Sequence, residues 1–204
     1  MHIQTLLLAA GSATRFGGDK LSAALPDGTP MVLASARALL QAGCDVLAVV
    51  READVGAGLL LRDLQEVRVL CCPESVGGLG FSLAQGVRHS ANADAWLVAL
   101  ADMPLIRPAT LVQVLSALAG GSSLVAPVFA GQRGHPVGFG RCWRARLLEL
   151  SGDRGARTLL TEQADRLESI QTDDPGILLD IDRRDDLHRI GLIESDPMHS
   201  AFLR

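Results

Sequence analysis

The densest chemistry in the chain lies between positions 11 and 20, in Gly11-Ser12-Ala13-Thr14-Arg15-Phe16-Gly17-Gly18-Asp19-Lys20. Gly11, Gly17 and Gly18 let backbone N–H groups approach an anion with no Cβ in the way. Arg15 can grip phosphate oxygens through a planar fork, and Lys20 adds a compact point charge. Ser12 and Thr14 add hydroxyl donors. The stretch is built like a polyphosphate cradle. It is not a Walker A loop, because no Gly-Lys-Ser/Thr closes it, and not a dinucleotide fingerprint, because Gly-x-Gly-x-x-Gly is absent. The plain alternative is a surface loop with two incidental cations.

Other polar residues fall at comparable places. Asp102 follows the apolar run Trp96–Leu100 with only Ala101 between. It could cap a helix, but Pro108 sets the next helix start several residues away. A strand-end carboxylate also suits Mg²⁺, which takes one or two carboxylates plus substrate phosphate oxygens. Asp180 and Asp182 share one face if they lie on a strand. Asp182 either completes the metal site or caps a helix around Asp185–Ile190. Gly78 and Gly80 allow close backbone approach, and Ser82 can cap a helix whose N-terminal amides face a ligand. His135 sits between Gly134 and Pro136 in a turn, which argues against a core histidine. Arg154 and Arg157 lie one helical turn apart. They could hold a phosphate, or pair with surface acids at little gain.

These residues need a frame. Strand-like runs recur at Thr5–Ala9, Val46–Val50, Val67–Leu70, Trp96–Leu100 and Leu124–Pro127. Helix-period segments alternate with them: Met31–Gln41, a stretch holding Leu59–Leu64, Leu83–Ser90 and Pro108–Leu118. The alternation predicts a single-domain α/β fold with a mostly parallel, Rossmann-like sheet and helices on both faces. Ligands of such sheets bind at the carboxyl edge, where the 11–20 stretch and Asp102 both emerge. After Pro127 the pattern changes. An extended piece at Pro136–Phe139 is followed by helical stretches at Trp143–Leu150 and Ala156–Ala164, then short runs at Leu167–Gln171 and Leu178–Ile181. This part is expected to cover the sheet edge. Residues 1–190 read as the domain and 191–204 as a tail.

Length and composition bound the rest. At 204 residues, 48% hydrophobic and 21% charged, the chain is globular rather than disordered. A formal charge of −4 gives no basic field for nucleic acid. The eight-residue apolar N-terminal run is too short for a membrane span and lacks the flanks of a signal peptide. Cys44, Cys71, Cys72 and Cys142 have no Cys-x-x-Cys spacing and read as small apolar residues in a reducing cytosol, hence a cytoplasmic protein.

Leu8-Ala9-Ala10-Gly11-Ser12-x-x-Arg15-Phe16-Gly17-x-x-Lys20-Leu21 resembles the signature of the nucleotidyltransferases similar to the molybdenum cofactor cytidylyltransferase and guanylyltransferase. That family usually has Met where this chain has Phe16. Leu100-Ala101-Asp102-Met103-Pro104, the Gly78–Leu83 loop, Arg133-Gly134-His135-Pro136, Gly152–Arg157 and Leu179-Asp180-Ile181-Asp182 resemble further family segments, in the family's order. In the last of these, Arg183-Arg184 stands where the family has Thr-Pro.

The resemblance implies a nucleotide-diphospho-sugar transferase-like fold and an enzyme that expels pyrophosphate from an NTP. It implies nucleotide binding by Leu8, Ala9, Ala10, Gly11, Ser12, Arg15 and Lys20, with Gly78, Gly80 and Ser82 against base and ribose. Arg15, Lys20 and Asp102 become the catalytic residues, Asp102 and Asp182 the Mg²⁺ ligands, and His135, Arg154 and Arg157 the border of the acceptor. Ala10, where GTP users tend to have Gly, favours CTP. The implied acceptor is molybdopterin carrying molybdenum, with a molybdenum enzyme or its chaperone as a downstream partner. Two other readings stay open. One is transfer to another phosphorylated acceptor, such as a sugar or alcohol phosphate. The other is a non-catalytic protein that delivers a nucleotide or cofactor.

Overall fold

β1 (Ile3–Ala9) is buried from Gln4 onward and has a parallel neighbour on each side, β2 (Asp45–Val50) and β4 (Ala95–Leu100). β3 (Val67–Cys71) adds to the outer edge of β2, again parallel. The chain therefore runs outward from β1 through β2 to β3, then returns to the opposite side of β1. The strand order reverses between β1 and β4, and the carboxyl ends of those two strands flank the resulting crevice. The computed structural model on which this description rests covers residues 1–10, 16, 18–73, 78–153 and 155–187.

Both faces of the sheet are covered, which is why its strands read as continuous apolar runs. Leu7, Ala9, Ala48 and Val50 meet Val32, Ala36 and Leu39 of α1 (Met31–Gln41), Leu61 of α2 (Gly56–Arg62) and Val114 of α4 (Pro108–Ala119). Leu6, Leu8, Val49, Trp96 and Val98 lie in a second core with Leu83 and Val87 of α3 (Leu79–His89), on the other face. No helix among the described residues is long and apolar enough to cross a membrane.

The second half extends the sheet. β5 (Leu124–Phe129) turns into the short β6 (Gln132–Arg133), and β7 (Val137–Gly140) inserts antiparallel between β4 and β5. α5 (Arg144–Leu148) and α6 (Arg157–Glu162) add Leu147, Leu159 and Leu160 to the α3 side. β8 (Glu168–Gln171) then pairs parallel with β5. Among the described residues this is one eight-stranded, mixed but mostly parallel sheet.

The predicted α/β class and the five early strands are present. Four details differ. α3 begins at Leu79 rather than Leu83, because Gly78 at φ 93° ends the preceding loop and serves as the N-cap. Ser82 therefore lies inside the first turn and does not cap it. Trp143–Leu150 and Ala156–Ala164 shrink to the short α5 and α6 with adjoining 3₁₀ turns. Leu178–Ile181 is not a strand: Pro175–Leu178 is a 3₁₀ turn, and Ile181 N–H then makes a single bond to Asp102 O (3.0 Å). Of the cysteines, Cys44 and Cys72 are buried as expected, whereas Cys71 and Cys142 are exposed.

Candidate functional site

The site grows from the carboxyl ends of β1 and β4. Leu8 O accepts from Ala101 N–H (3.1 Å), which fixes the chain just before Asp102. Ser35 of α1 donates its buried hydroxyl to Ala101 O (2.9 Å) from the side. Lys20 opens a turn in which Ala23 N–H returns to Lys20 O (3.1 Å). That turn is tied to the start of α1 by Met31 N–H to Ala23 O (2.9 Å) and Val32 N–H to Leu21 O (3.0 Å). Phe16, Met31 and Ile181 fill a small apolar core between these pieces. Three distant segments are thereby held together, and their charged side chains meet. Lys20 Nζ donates to Asp102 Oδ2 (3.0 Å) and to Asp182 Oδ1 (2.7 Å).

The Lys20 side chain is only 9% exposed, Asp102 27% and Asp182 47%. Burial alone pulls the Lys20 pKa down. The hydrogen bond to Asp182 and the charge of Asp102 outweigh it, so the pKa ends above its ordinary value and the ammonium stays charged. Asp182 aims its carboxylate at Lys20. The capping role falls instead to Asp186, whose Oδ2 accepts from Asp182 N–H (3.1 Å) and Arg183 N–H (2.8 Å) ahead of a helical turn over 184–187. Asp180 lies at the lip, where desolvation and then the charges of Asp182 and Asp102 push its carboxyl above the usual range.

Asp102 and Asp182 bring two carboxylates to one point of the site. No group of three or more His, Cys, Asp or Glu converges to hold a metal ion among the described residues. A cation here would take Asp102 and Asp182 and complete its shell with phosphate oxygens and water. That donor set fits Mg²⁺, which is bound in this way rather than by all-protein cages.

The other predicted residues are placed as follows. Leu8 and Ala9 commit their side chains to the core, and Ala10, also buried, offers its carbonyl to Arg51 Nη2 (3.2 Å). Gly80 N–H donates to Gly152 O (2.8 Å), while Ser82 directs N–H and Oγ to Gly78 O (3.2 and 3.3 Å). A Cβ on Gly80 would come within 2.8 Å of the Ser151 carbonyl, so only glycine permits the 151–153 loop to lie on α3. Arg157 is exposed at the start of α6, and no hydrogen bond or ion pair joins it to the Lys20 cluster. His135 N–H donates to Ile177 O (3.0 Å), in a turn whose His135–Pro136 peptide is cis. The residue is partly open, yet its ring Nδ1 is buried, against the expectation of a histidine clear of the core. Burial holds its pKa below 6.5, only partly offset by the charge of Asp102. Gly11, Ser12, Arg15 and Arg154 lie outside the described residues, as does the chain from 188 onward.

Some supporting residues escaped the sequence reading. Arg51 follows β2 at the same sheet edge as Asp102 follows β4, so the strand-end rule applied to every strand would have found it. Asp174 is fully buried and accepts from Arg107 N–H, Thr110 Oγ1 and Gly176 N–H (2.8, 2.8 and 2.9 Å). Its position after a short polar run gives no hint of that.

Comparison with known proteins places this arrangement. The chain is 29% identical over 195 residues to nicotine blue oxidoreductase of Paenarthrobacter nicotinovorans, spanning 91% of this chain and 94% of that protein. Among solved structures, Rv0371c of Mycobacterium tuberculosis H37Rv superposes with a TM-score of 0.79 at 26% identity, over 93% of this chain and 97% of that one. A second Rv0371c structure, a complex with manganese, matches with a TM-score of 0.75 at 25% identity, over 96% of this chain and 100% of that one. A nucleotidyl transferase from Methanothermobacter thermautotroptrophicus, Mth528, matches with a TM-score of 0.76 at 26% identity, over 100% and 98% of the two chains. The family model of the MobA-like NTP transferase domain matches residues 5–167, which runs from within β1 through α6 and includes both Lys20 and Asp102. The chain belongs to the MobA-like NTP transferase family and is a nucleotidyltransferase.

Proposed function

We propose that the protein transfers CMP from CTP to molybdenum-loaded molybdopterin with release of pyrophosphate, and that residues 1–190 form the catalytic unit. The observation that carries this reading is the Lys20 ammonium clamped between Asp102 and Asp182 at the strand-order reversal. A phosphoryl-centred displacement needs charge neutralisation and in-line positioning more than a nucleophilic side chain. Lys20 supplies a cation that stays charged and is fixed before substrate arrives, so no reorganisation is needed as negative charge moves to the leaving pyrophosphate. Gly11, Ser12 and Arg15 bind the triphosphate beside it. Gly78, Gly80 and Ser82 flank the base and ribose, and His135, Arg154 and Arg157 border the acceptor.

Asp102 and Asp182 would hold Mg²⁺, which when bound neutralises phosphate charge and orients the α-phosphorus. The manganese complex of Rv0371c supports a divalent cation by likeness. Ala10 supports CTP over GTP, since its Cβ narrows the space beside the base. The free cysteines suit a reducing, cytoplasmic setting.

The test is pyrophosphate release with Mg²⁺, each NTP in turn and molybdenum-loaded molybdopterin. Release with CTP, reduced at least about 100-fold in Asp102→Asn, is the expected result. Undiminished release from Asp102→Asn overturns the assignment of Asp102. Release only with a sugar or alcohol phosphate moves the acceptor.

A further inference from the structure

We propose that Arg184 is an additional phosphate-binding residue of the nucleotide site, mounted on Phe16 beside the Lys20 cluster. This rests on the nucleotidyltransferase site described above. Two of the positions at which the chain departs from the motif pattern, Phe16 and Arg184, meet in space. The Arg184 guanidinium lies 5.3 Å from the centroid of the Phe16 ring. Phe16 is itself buried, 4% exposed, and wedged with Met31 and Ile181 beneath the Lys20 cluster. The ring therefore forms a fixed platform.

A guanidinium stacked on a ring spends its face on the contact and keeps its in-plane N–H donors. Arg184 Nη2 is 4.0 Å from where a Cβ on Gly18 would stand, so the guanidinium lies beside Gly18, two residues before Lys20. The same chain segment carries Asp182, two residues earlier, to Lys20. No carboxylate among the described residues forms an ion pair with Arg184, although Arg183, Asp185 and Asp186 adjoin it. A guanidinium held this way, on the segment that brings Asp182 to Lys20, has the planar fork that phosphate oxygens accept from in pairs. An Arg–phosphate bond of this sort contributes about 1.5–3 kcal/mol, or about 10- to 100-fold in affinity.

The test is calorimetric binding of CTP, CMP and inorganic tripolyphosphate, each with Mg²⁺, to wild type, Arg184→Ala, Arg184→Lys and Phe16→Met. Arg184→Ala should weaken tripolyphosphate and CTP about 10-fold or more and CMP much less, with an unchanged unfolding midpoint. Arg184→Lys should fall between. Phe16→Met keeps the apolar volume but removes the ring, and should weaken tripolyphosphate a few-fold. Equal binding of tripolyphosphate by wild type and Arg184→Ala overturns the proposal while leaving the nucleotide site standing. An equal loss for CMP and tripolyphosphate also overturns it, since that marks a latch and not a phosphate contact. A wild type that binds neither CTP nor tripolyphosphate removes the nucleotide site and this proposal with it.

Discussion

Lys20 exchanges the hydration of its ammonium for two carboxylates, and the exchange holds only while all three partners are present. Lys20→Met leaves Asp102 and Asp182 facing each other without the cation between them. Turnover should fall about 10²- to 10³-fold. Stability should fall by only about 1–2 kcal/mol, because Asp182 is half exposed and water takes over part of the lost interaction. A steady-state assay beside a urea titration checks both. Lys20→Arg should not restore turnover, since a planar fork cannot occupy the position of a point charge between two oxygens. His135 gives a pH signature. Its folded pKa lies below 6.5, so as pH falls below that value the unfolded chain takes up a proton that the folded chain refuses. Its contribution to stability is present above about 6.5 and is lost as pH drops toward the lower folded value. Urea midpoints from pH 7.5 to 5 should fall less steeply in His135→Gln than in wild type. Asp102 could be read from the sequence because it follows a buried strand, and Lys20 because it closes a glycine-rich loop. Arg184 stood out only as a departure from a pattern, because its partner Phe16 is 168 residues away in sequence and only the fold joins them.

At the scale of elements, the site depends on how loops without regular structure are fastened. Asp174 secures three donors from two segments: the N-terminal entry to α4, at Arg107 and Thr110, and its own 3₁₀ turn, at Gly176. That turn presents Ile177 O to His135 and leads into Ile181 and Asp182. Asp174→Ala leaves those donors buried and unpaired and should cost about 3 kcal/mol. It should also raise the acceptor KM more than the nucleotide KM, because the His135 turn loses its support while β1 and β4 are untouched. Denaturant unfolding and a two-substrate kinetic analysis check this. The central strands of the first half were legible because both faces are buried, and Leu6–Ala9, Val46–Val50 and Ala95–Leu100 are unbroken apolar runs. β7 and β8 were harder, since Val137–Gly140 has two glycines and Glu168–Gln171 is mostly exposed. Leu178–Ile181 misled because apolar residues on either side of Asp180 look like a short strand. Its side chains are in fact distributed between two cores after a 3₁₀ turn, Leu178 against one and Ile181 in another.

For the molecule as a whole, the reversal of strand order between β1 and β4 brings the charged groups of three remote segments to one edge. The polar cluster of His2, Gln4, Asp45 and Arg68 lies at the opposite, amino-terminal end of the sheet, so the two ends are electrostatically distinct. An architecture of this kind binds at its carboxyl edge, and the reaction assigned to it should leave the nucleotide's α-phosphorus on the product. The most direct measurement is therefore the fate of that phosphorus. With α-labelled CTP, Mg²⁺ and molybdenum-loaded molybdopterin, the label should pass to the acceptor in one-to-one proportion with pyrophosphate released, and Lys20→Met should transfer almost none. Label that stays in CTP, or that is released as free CMP with no labelled acceptor, would contradict transfer of CMP from CTP to molybdopterin at the Lys20–Asp102–Asp182 site.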